Sequence, residues 1–330
     1  MSFIMNIRSV AKYESKILVR SWFFRIFTLL AVVFLGFFNF AMMLMEDNFG
    51  LWFAKSVSSN IPYLNLLLLN TGQAVVAVFL SSEFLKRDKK LDTFEVFYVR
   101  PLSNAEYVVG KIWGNLRVFL FLNLLVLAIV LAFNFMASGV TVDLPAYLVY
   151  FFLISIPTLI FIIGLSIFLM LLLKNQALTF ILLLGYIGLT LFYIQDKFYY
   201  LFDYMVYNLP LFKSTIVGFS NLELILNHRA IYFFAGLGFI FFTIFLFKRL
   251  PNARRSHYPW LFLSFCMFLL MVTAGFRHVR SILWEGEMRA LYTSINNKYV
   301  YEPKMAIDYY DISVEQKSET IRSVVGMEGT

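Results

Sequence analysis

Residues 144–173 read LPAYLVYFFLISIPTLIFIIGLSIFLMLLL, thirty positions without one charged side chain. A helix needs about 20 apolar residues to cross a hydrocarbon core of roughly 30 Å, so this stretch is long enough to span a membrane. Working outward, comparable charge-poor windows occur at 26–45, 56–82, 118–142, 175–195, 230–247 and 256–276. The whole chain agrees with them. Of its 330 residues, 60% are hydrophobic and 15% charged, against about 25% charged in ordinary soluble domains. A disordered chain and a water-soluble enzyme are both excluded. The expectation is an all-α, polytopic membrane helix bundle: six spans forming one unit, then a seventh span and a short α/β tail on the far side.

The short loops orient the bundle. With the N-terminus inside, the inner set is Arg8, Lys12, Lys16, Arg20, Arg25, Lys86, Arg87, Lys89, Lys90, Arg100, Lys111, Arg117, Lys174, Lys248, Arg249, Arg254 and Arg255. The outer loops hold only Lys55, Lys197, Lys213 and Arg229. Because Lys and Arg are retained on the cytoplasmic side, the bias of 17 to 4 predicts a cytoplasmic N-terminus and an extracytoplasmic tail in a multi-pass protein of the cytoplasmic (inner) membrane. The net charge of +8 belongs to that bias. No basic run is long enough for a duplex footprint, so nucleic acid is not an expected partner.

Four segments between and beside the spans carry information. Residues 1–21 predict an amphipathic helix on which Arg8, Lys12, Lys16 and Arg20 recur every fourth position as one basic stripe. Phe3, Ile7, Val10, Ala11, Ile17 and Leu18 supply its apolar face, and such a helix belongs at a lipid interface. The loop 86–111, KRDKKLDTFEVFYVRPLSNAEYVVGK, contains two helix starts. Asp92 is followed by Glu95, and Ser103 by Glu106, the second being a capping-box pattern. Pro101 lacks an N–H and disfavours helix at Arg100, so a short helix at about 92–100 should break before a new one entering the third span. That short helix displays Phe94, Phe97 and Tyr98. The segment 196–229 is too apolar for a free loop and, split by Pro210, predicts two re-entrant half-helices. After the seventh span, assigned to 251–276, charges return over 277–330, where a helical stretch, Pro303 and two strands are expected. Two strands cannot bury a core by themselves; this tail reads as the start of a larger, truncated ectodomain.

Chemistry of its own is hard to find. There is no G-x-x-x-x-G-K-[ST] phosphate loop, since Gly110–Lys111 is preceded by Ala105 and followed by Ile112. His228, His257 and His278 form no HExxH motif, and the lone Cys266 excludes an internal disulfide. The spans contain Asn65, Asn70, Gln73, Asn115, Asn123 and Asn134, which suit interhelical hydrogen bonds better than a substrate path. No catalytic, cofactor or metal site is expected in this chain.

The basic N-terminal helix, six spans, a short inner-loop helix and paired outer half-helices together resemble the permease subunits of type-2 ABC exporters (the ABC-2 family). The local match runs from Thr93-Phe94-Glu95 through Pro101-Leu102-Ser103 to Gly110-Lys111. It covers about residues 7–250, so that 22–250 would be the permease domain, and the seventh span departs from the six-span unit. The resemblance implies that residues 92–100 are a coupling helix for a separate cytoplasmic ABC ATPase subunit, which would bind the ATP and magnesium. Phe94, Phe97 and Tyr98 would be its apolar anchors, with Glu95 and Arg100 at the rim. It further implies a second permease half, as homo- or heterodimer, around a path for an exported substrate. The alternative is a membrane anchor or assembly factor for an extracytoplasmic domain.

Overall fold

The protein is described by a computed structural model covering residues 2–44, 58–82, 102–136, 142–194, 196–209, 211, 213, 218–219, 221–247, 258–302, 307–317 and 320–329. The element order is α1 (Ser2–Arg20), α2 (Trp22–Leu44), α3 (Asn60–Ser82), α4 (Asn104–Met136), α5 (Leu144–Leu173), α6 (Gln176–Ile194), α7 (Leu222–Leu246) and α8 (Tyr258–Tyr299), then strands β1 (Ile307–Lys317) and β2 (Thr320–Gly329). Among the described residues, seven helices (α2 to α8) are long and apolar enough to cross a membrane. The mostly helical, membrane-compatible architecture and the terminal strand pair are therefore as expected. The helix expected at 92–100, with Asp92, Phe94, Glu95, Phe97, Tyr98, Arg100 and Pro101, lies outside the described residues.

The core is held by polar groups as well as apolar ones, because lipid tails give apolar side chains little reason to prefer a neighbouring helix. Asn39 of α2 and Asn65 of α3 exchange side-chain amide bonds at 2.7 and 3.1 Å. Deeper, Asn70 and Gln73 of α3, Asn123 of α4 and Ser155 of α5 close a ring. Gln73 Nε2 donates to Asn70 Oδ1 at 2.8 Å, Asn123 Nδ2 to Gln73 Oε1 at 2.9 Å, and Ser155 Oγ to Asn123 Oδ1 at 2.8 Å. All four side chains are buried. Asn39, Asn65, Asn70, Asn123 and Asn134 thus bond helix to helix, as expected, while Asn115 Oδ1 and Asn134 Oδ1 are buried without a partner among the described residues.

Close backbone approach does the rest. A Cβ on Gly164 of α5 would sit 2.7 Å from the Gly236 carbonyl of α7, and one on Gly236 would sit 2.7 Å from the Ile160 backbone. Small residues at such crossings let helix backbones touch. At the end of the bundle bearing α1, the Asn104 amide donates to the Phe247 carbonyl at 2.6 Å and Tyr107 stacks on Phe247. The start of α4 is thereby tied to the end of α7.

Two expectations change. The amphipathic α1 is a helix as read, but most of its apolar face packs on α4 rather than on lipid: Ala11 and Leu18 are buried, Ile7, Val10 and Ile17 half-buried, and Phe3 exposed. Among its described residues the segment 196–229 shows no two half-helices: they form one tight turn with further turns up to 209, and from Leu222 they already belong to α7. The seventh span and the helical stretch expected after it form one helix, since α8 runs unbroken for 42 residues. In the tail, β1 and β2 pair antiparallel from Ile307↔Gly329 to Lys317↔Thr320.

Glycine is what permits the α1–α4 contact. A Cβ at Gly110 would lie 2.7 Å from Val10 Cβ, and at Gly114 2.7 Å from Glu14 Cβ and 2.9 Å from the Ala11 carbonyl. Overpacking of this kind costs about 1–3 kcal/mol. Gly114→Leu is expected to lower the thermal midpoint of the detergent-solubilised chain by several degrees, whereas Gly185→Leu, facing open space, should leave it unchanged.

Candidate functional site at the two ends of the bundle

At one end α1 runs beside the first turns of α4 in parallel. Residue pairs a hundred positions apart meet: Asn6 with Glu106, Val10 with Gly110, and Glu14 with Gly114. Local sequence explains the start of α4. The Ser103 N–H donates to Glu106 Oε2 at 2.6 Å, while the Glu106 N–H donates to Ser103 Oγ at 3.2 Å. This is the reciprocal capping box read from Ser103 and Glu106. Glu106 also accepts from the Asn6 amide at 2.9 Å, so the cap of one helix is a joint with another.

The seam continues with charge. Lys111 Nζ lies 3.8 Å from Glu14 Oε2, both side chains almost fully enclosed. Ser15 Oγ donates to the Gly114 carbonyl at 2.8 Å, and Arg117 donates through Nε to Ser15 Oγ and through Nη2 to the Ala11 carbonyl at 2.9 Å. A buried pair of this sort adds little net stability but is costly to break from one side, so it fixes register. Arg8, Lys12, Lys16 and Arg20 are all exposed. Their stripe faces away from α4, free to meet an anionic surface. At 1.5 Å per residue the 33 residues of α4 extend about 50 Å. That exceeds a hydrocarbon core, so α1 and the polar first turns of α4 form a two-helix stalk.

At the far end the segment after α6 is held by side chains from the helices around it. Phe198, Tyr199 and Tyr200 have φ of 52°, 58° and 63°, a left-handed turn of residues that each disfavour it by about 1–2 kcal/mol. The carbonyls of this turn are met one by one. His278 of α8 bonds the Tyr199 carbonyl through Nε2 at 2.9 Å, and His228 of α7 the Tyr200 carbonyl at 3.0 Å. The Tyr232 hydroxyl donates to the Leu201 carbonyl. The two imidazole rings are 5.0 Å apart.

Arg229 is the centre of this clamp. Pro157 has no N–H for the Leu153 carbonyl four residues before it, and α5 passes through a π-helical turn at Phe151–Ser155. Arg229 Nε donates to that Leu153 carbonyl at 2.7 Å, Nη2 to Thr158 Oγ1 at 2.8 Å, and Nη1 to the Tyr204 carbonyl at 2.8 Å. Tyr63 of α3 and Tyr150 of α5 donate to the carbonyls of Val206 and Leu211 at 3.2 and 2.7 Å. Asp203 is buried and accepts from the N–H groups of Tyr207 and Asn208 at 2.9 and 2.8 Å. Burial raises its carboxyl above the usual range against the pull of those two donors and of Arg229. The sign follows: stability from this group is greatest at low pH and declines as pH rises from the ordinary carboxylate value towards the raised one.

Sequence reading placed Arg229 among the loop cations; it lies instead in the second turn of α7, almost fully enclosed. It also missed Glu14, Ser15 and the Gly110/Gly114 pair. Among the described residues no group of His, Cys, Asp and Glu is arranged to hold a metal. No family model matches the chain, and no curated protein matches it.

Removing the guanidinium isolates buried carbonyls, each of which costs about 1–3 kcal/mol when left unpaired. Arg229→Met is therefore expected to lower the thermal midpoint and to speed tryptic cleavage after the exposed Lys197 in membrane vesicles. Arg277→Met, which breaks only the exposed 3.1 Å pair with Glu223, should change neither readout.

Proposed function

We propose that this chain is the membrane-spanning permease subunit of an ABC-type exporter, driven by a separate cytoplasmic ATPase. The observation that carries the reading is the stalk: α1 is locked to the start of α4 by Gly110, Gly114 and the buried Glu14–Lys111 pair. A force applied to the loop before Ser103 therefore moves two helices as one body. On this reading the N-terminus and the stalk are cytoplasmic, and residues 92–100 dock in a groove of the ATPase by their aromatic side chains, as helix-in-groove recognition does. Displacement of α4 passes through Asn123 to α3 and α5, and from α5 through Leu153 and Thr158 to Arg229 and the clamped far segment. The far segment would then be the outer gate of a path shared with a second permease half, in the inner membrane. ATP and magnesium would belong to the partner, and the chain itself would carry no catalytic group.

A second reading has its own observation. α8 continues well past membrane length and leads into an exposed strand pair, which suits an anchor or assembly factor for an extracytoplasmic domain.

The test is purification of the tagged full chain from its native membrane in mild detergent. The permease reading expects a P-loop ATPase to copurify and to be lost from a Phe94→Asp/Phe97→Asp variant that keeps its membrane level and thermal midpoint. Undiminished association would remove the coupling-helix assignment, and a preparation with no nucleotide-binding partner would favour the anchor.

A further inference from the structure

The 42 residues of α8 extend about 63 Å, twice the thickness of a hydrocarbon core. Its apolar stretch ends at Phe276, and charges then recur at Arg277, Arg280, Glu285, Glu287, Arg289 and Lys298. Residues 277–299 are thus an arm standing beyond the apolar part. On it Trp284, Met288, Leu291 and Ile295 follow one another at intervals of four, three and four residues, the spacing that keeps one apolar seam on a helix. Trp284, Leu291 and Ile295 are 60%, 49% and 46% exposed, and Met288 is half-buried. The seam does not look at its own bundle. α7 holds α8 through Ser264, Ala274 and His278, a face about 110° away around the helix at 100° per residue.

The charges beside the seam choose its occupant. With Trp284 and Leu291 at d and Met288 and Ile295 at a, Glu285 occupies an e position and Arg280 the g position of the preceding heptad. In a parallel pair, g of one helix meets the following e of the other. Arg280 would face Glu285 of a second copy, and by two-fold symmetry the contact occurs twice. Among the described residues of one copy, Glu285 has a loose 3.9 Å contact with the exposed Arg289. Copies inserted the same way in one membrane present their arms side by side and pointing alike, which supplies the parallel orientation. Gly286, where an added Cβ would meet nothing within 4 Å, falls on the outward side at f.

We infer that the arm of α8 pairs with the arm of a second copy of this chain as a short parallel two-stranded coiled coil, through Trp284, Met288, Leu291 and Ile295, with Arg280 and Glu285 fixing the register. The pairing is independent of transport and holds for either reading above. It is tested by oxidative cross-linking in native membranes, starting from Cys266→Ser, since Cys266 is the one cysteine. Met288→Cys and Leu291→Cys should each give a band at twice the mass of the chain, whereas Gly286→Cys and Thr293→Cys should stay monomeric. Arg280→Glu should abolish the Leu291→Cys dimer by setting Glu against Glu, and Arg280→Glu/Glu285→Arg should restore it. A monomeric Leu291→Cys chain, equal cross-linking at Thr293→Cys, a cross-linked band of foreign mass, or no rescue by the double exchange would overturn the inference.

Discussion

Arg229 is almost fully enclosed, and it closes two problems that the rest of the bundle creates. Pro157 leaves a carbonyl without its donor inside α5, and the irregular backbone after α6 brings further carbonyls into the interior. Neither could persist against hydrocarbon, where an unpaired backbone group has no water to turn to. One planar guanidinium, with its donors in a fixed fork, reaches both. The positions of α5, α7 and the far segment are thereby made mutually dependent. His228 and Tyr232, one before and three after it on α7, extend the same service to the left-handed turn.

The other end of the molecule uses a different solution. Between α1 and α4 the backbones approach until a methyl group would not fit, and the polar groups of the seam are matched side chain to side chain and side chain to carbonyl. Packing of this kind specifies register more than it adds stability. Between the two ends, the ring of Asn70, Gln73, Asn123 and Ser155 satisfies itself within three helices, so the middle of the bundle is polar yet closed.

Much of this is legible in the sequence. Charge-free windows located all seven apolar helices, because excluding charge from hydrocarbon is the strongest constraint acting on such a chain. The Ser103–Glu106 box was readable since its two bonds are local, three residues apart. The clamp was not, because its partners are distant in sequence: Arg229 meets Leu153, and His278 meets Tyr199. One trace was present in the proline of a span, which announces an orphaned carbonyl without saying who will answer it. The docking of α1 left a similar trace in glycines four residues apart at 110 and 114, of which Gly110 was read only in an absent phosphate loop and a family match, and Gly114 not at all. The unbroken run of α8 past Phe276 was obscured because a change in composition there is not a change in backbone.

The offset of a hundred residues between α1 and its seat on α4 also sets an order of events during synthesis. Chains grow at about 5–20 residues per second, so α1 emerges roughly 5–20 s before Lys111 exists to meet Glu14. For that interval its apolar face has no protein to cover it, and the surface available is the membrane itself. An amphipathic helix with a basic stripe is suited to wait there, held by anionic headgroups until α4 arrives. The composition of α1 is thus explained twice: by a temporary berth on lipid during biogenesis, and by a permanent one on α4 afterwards.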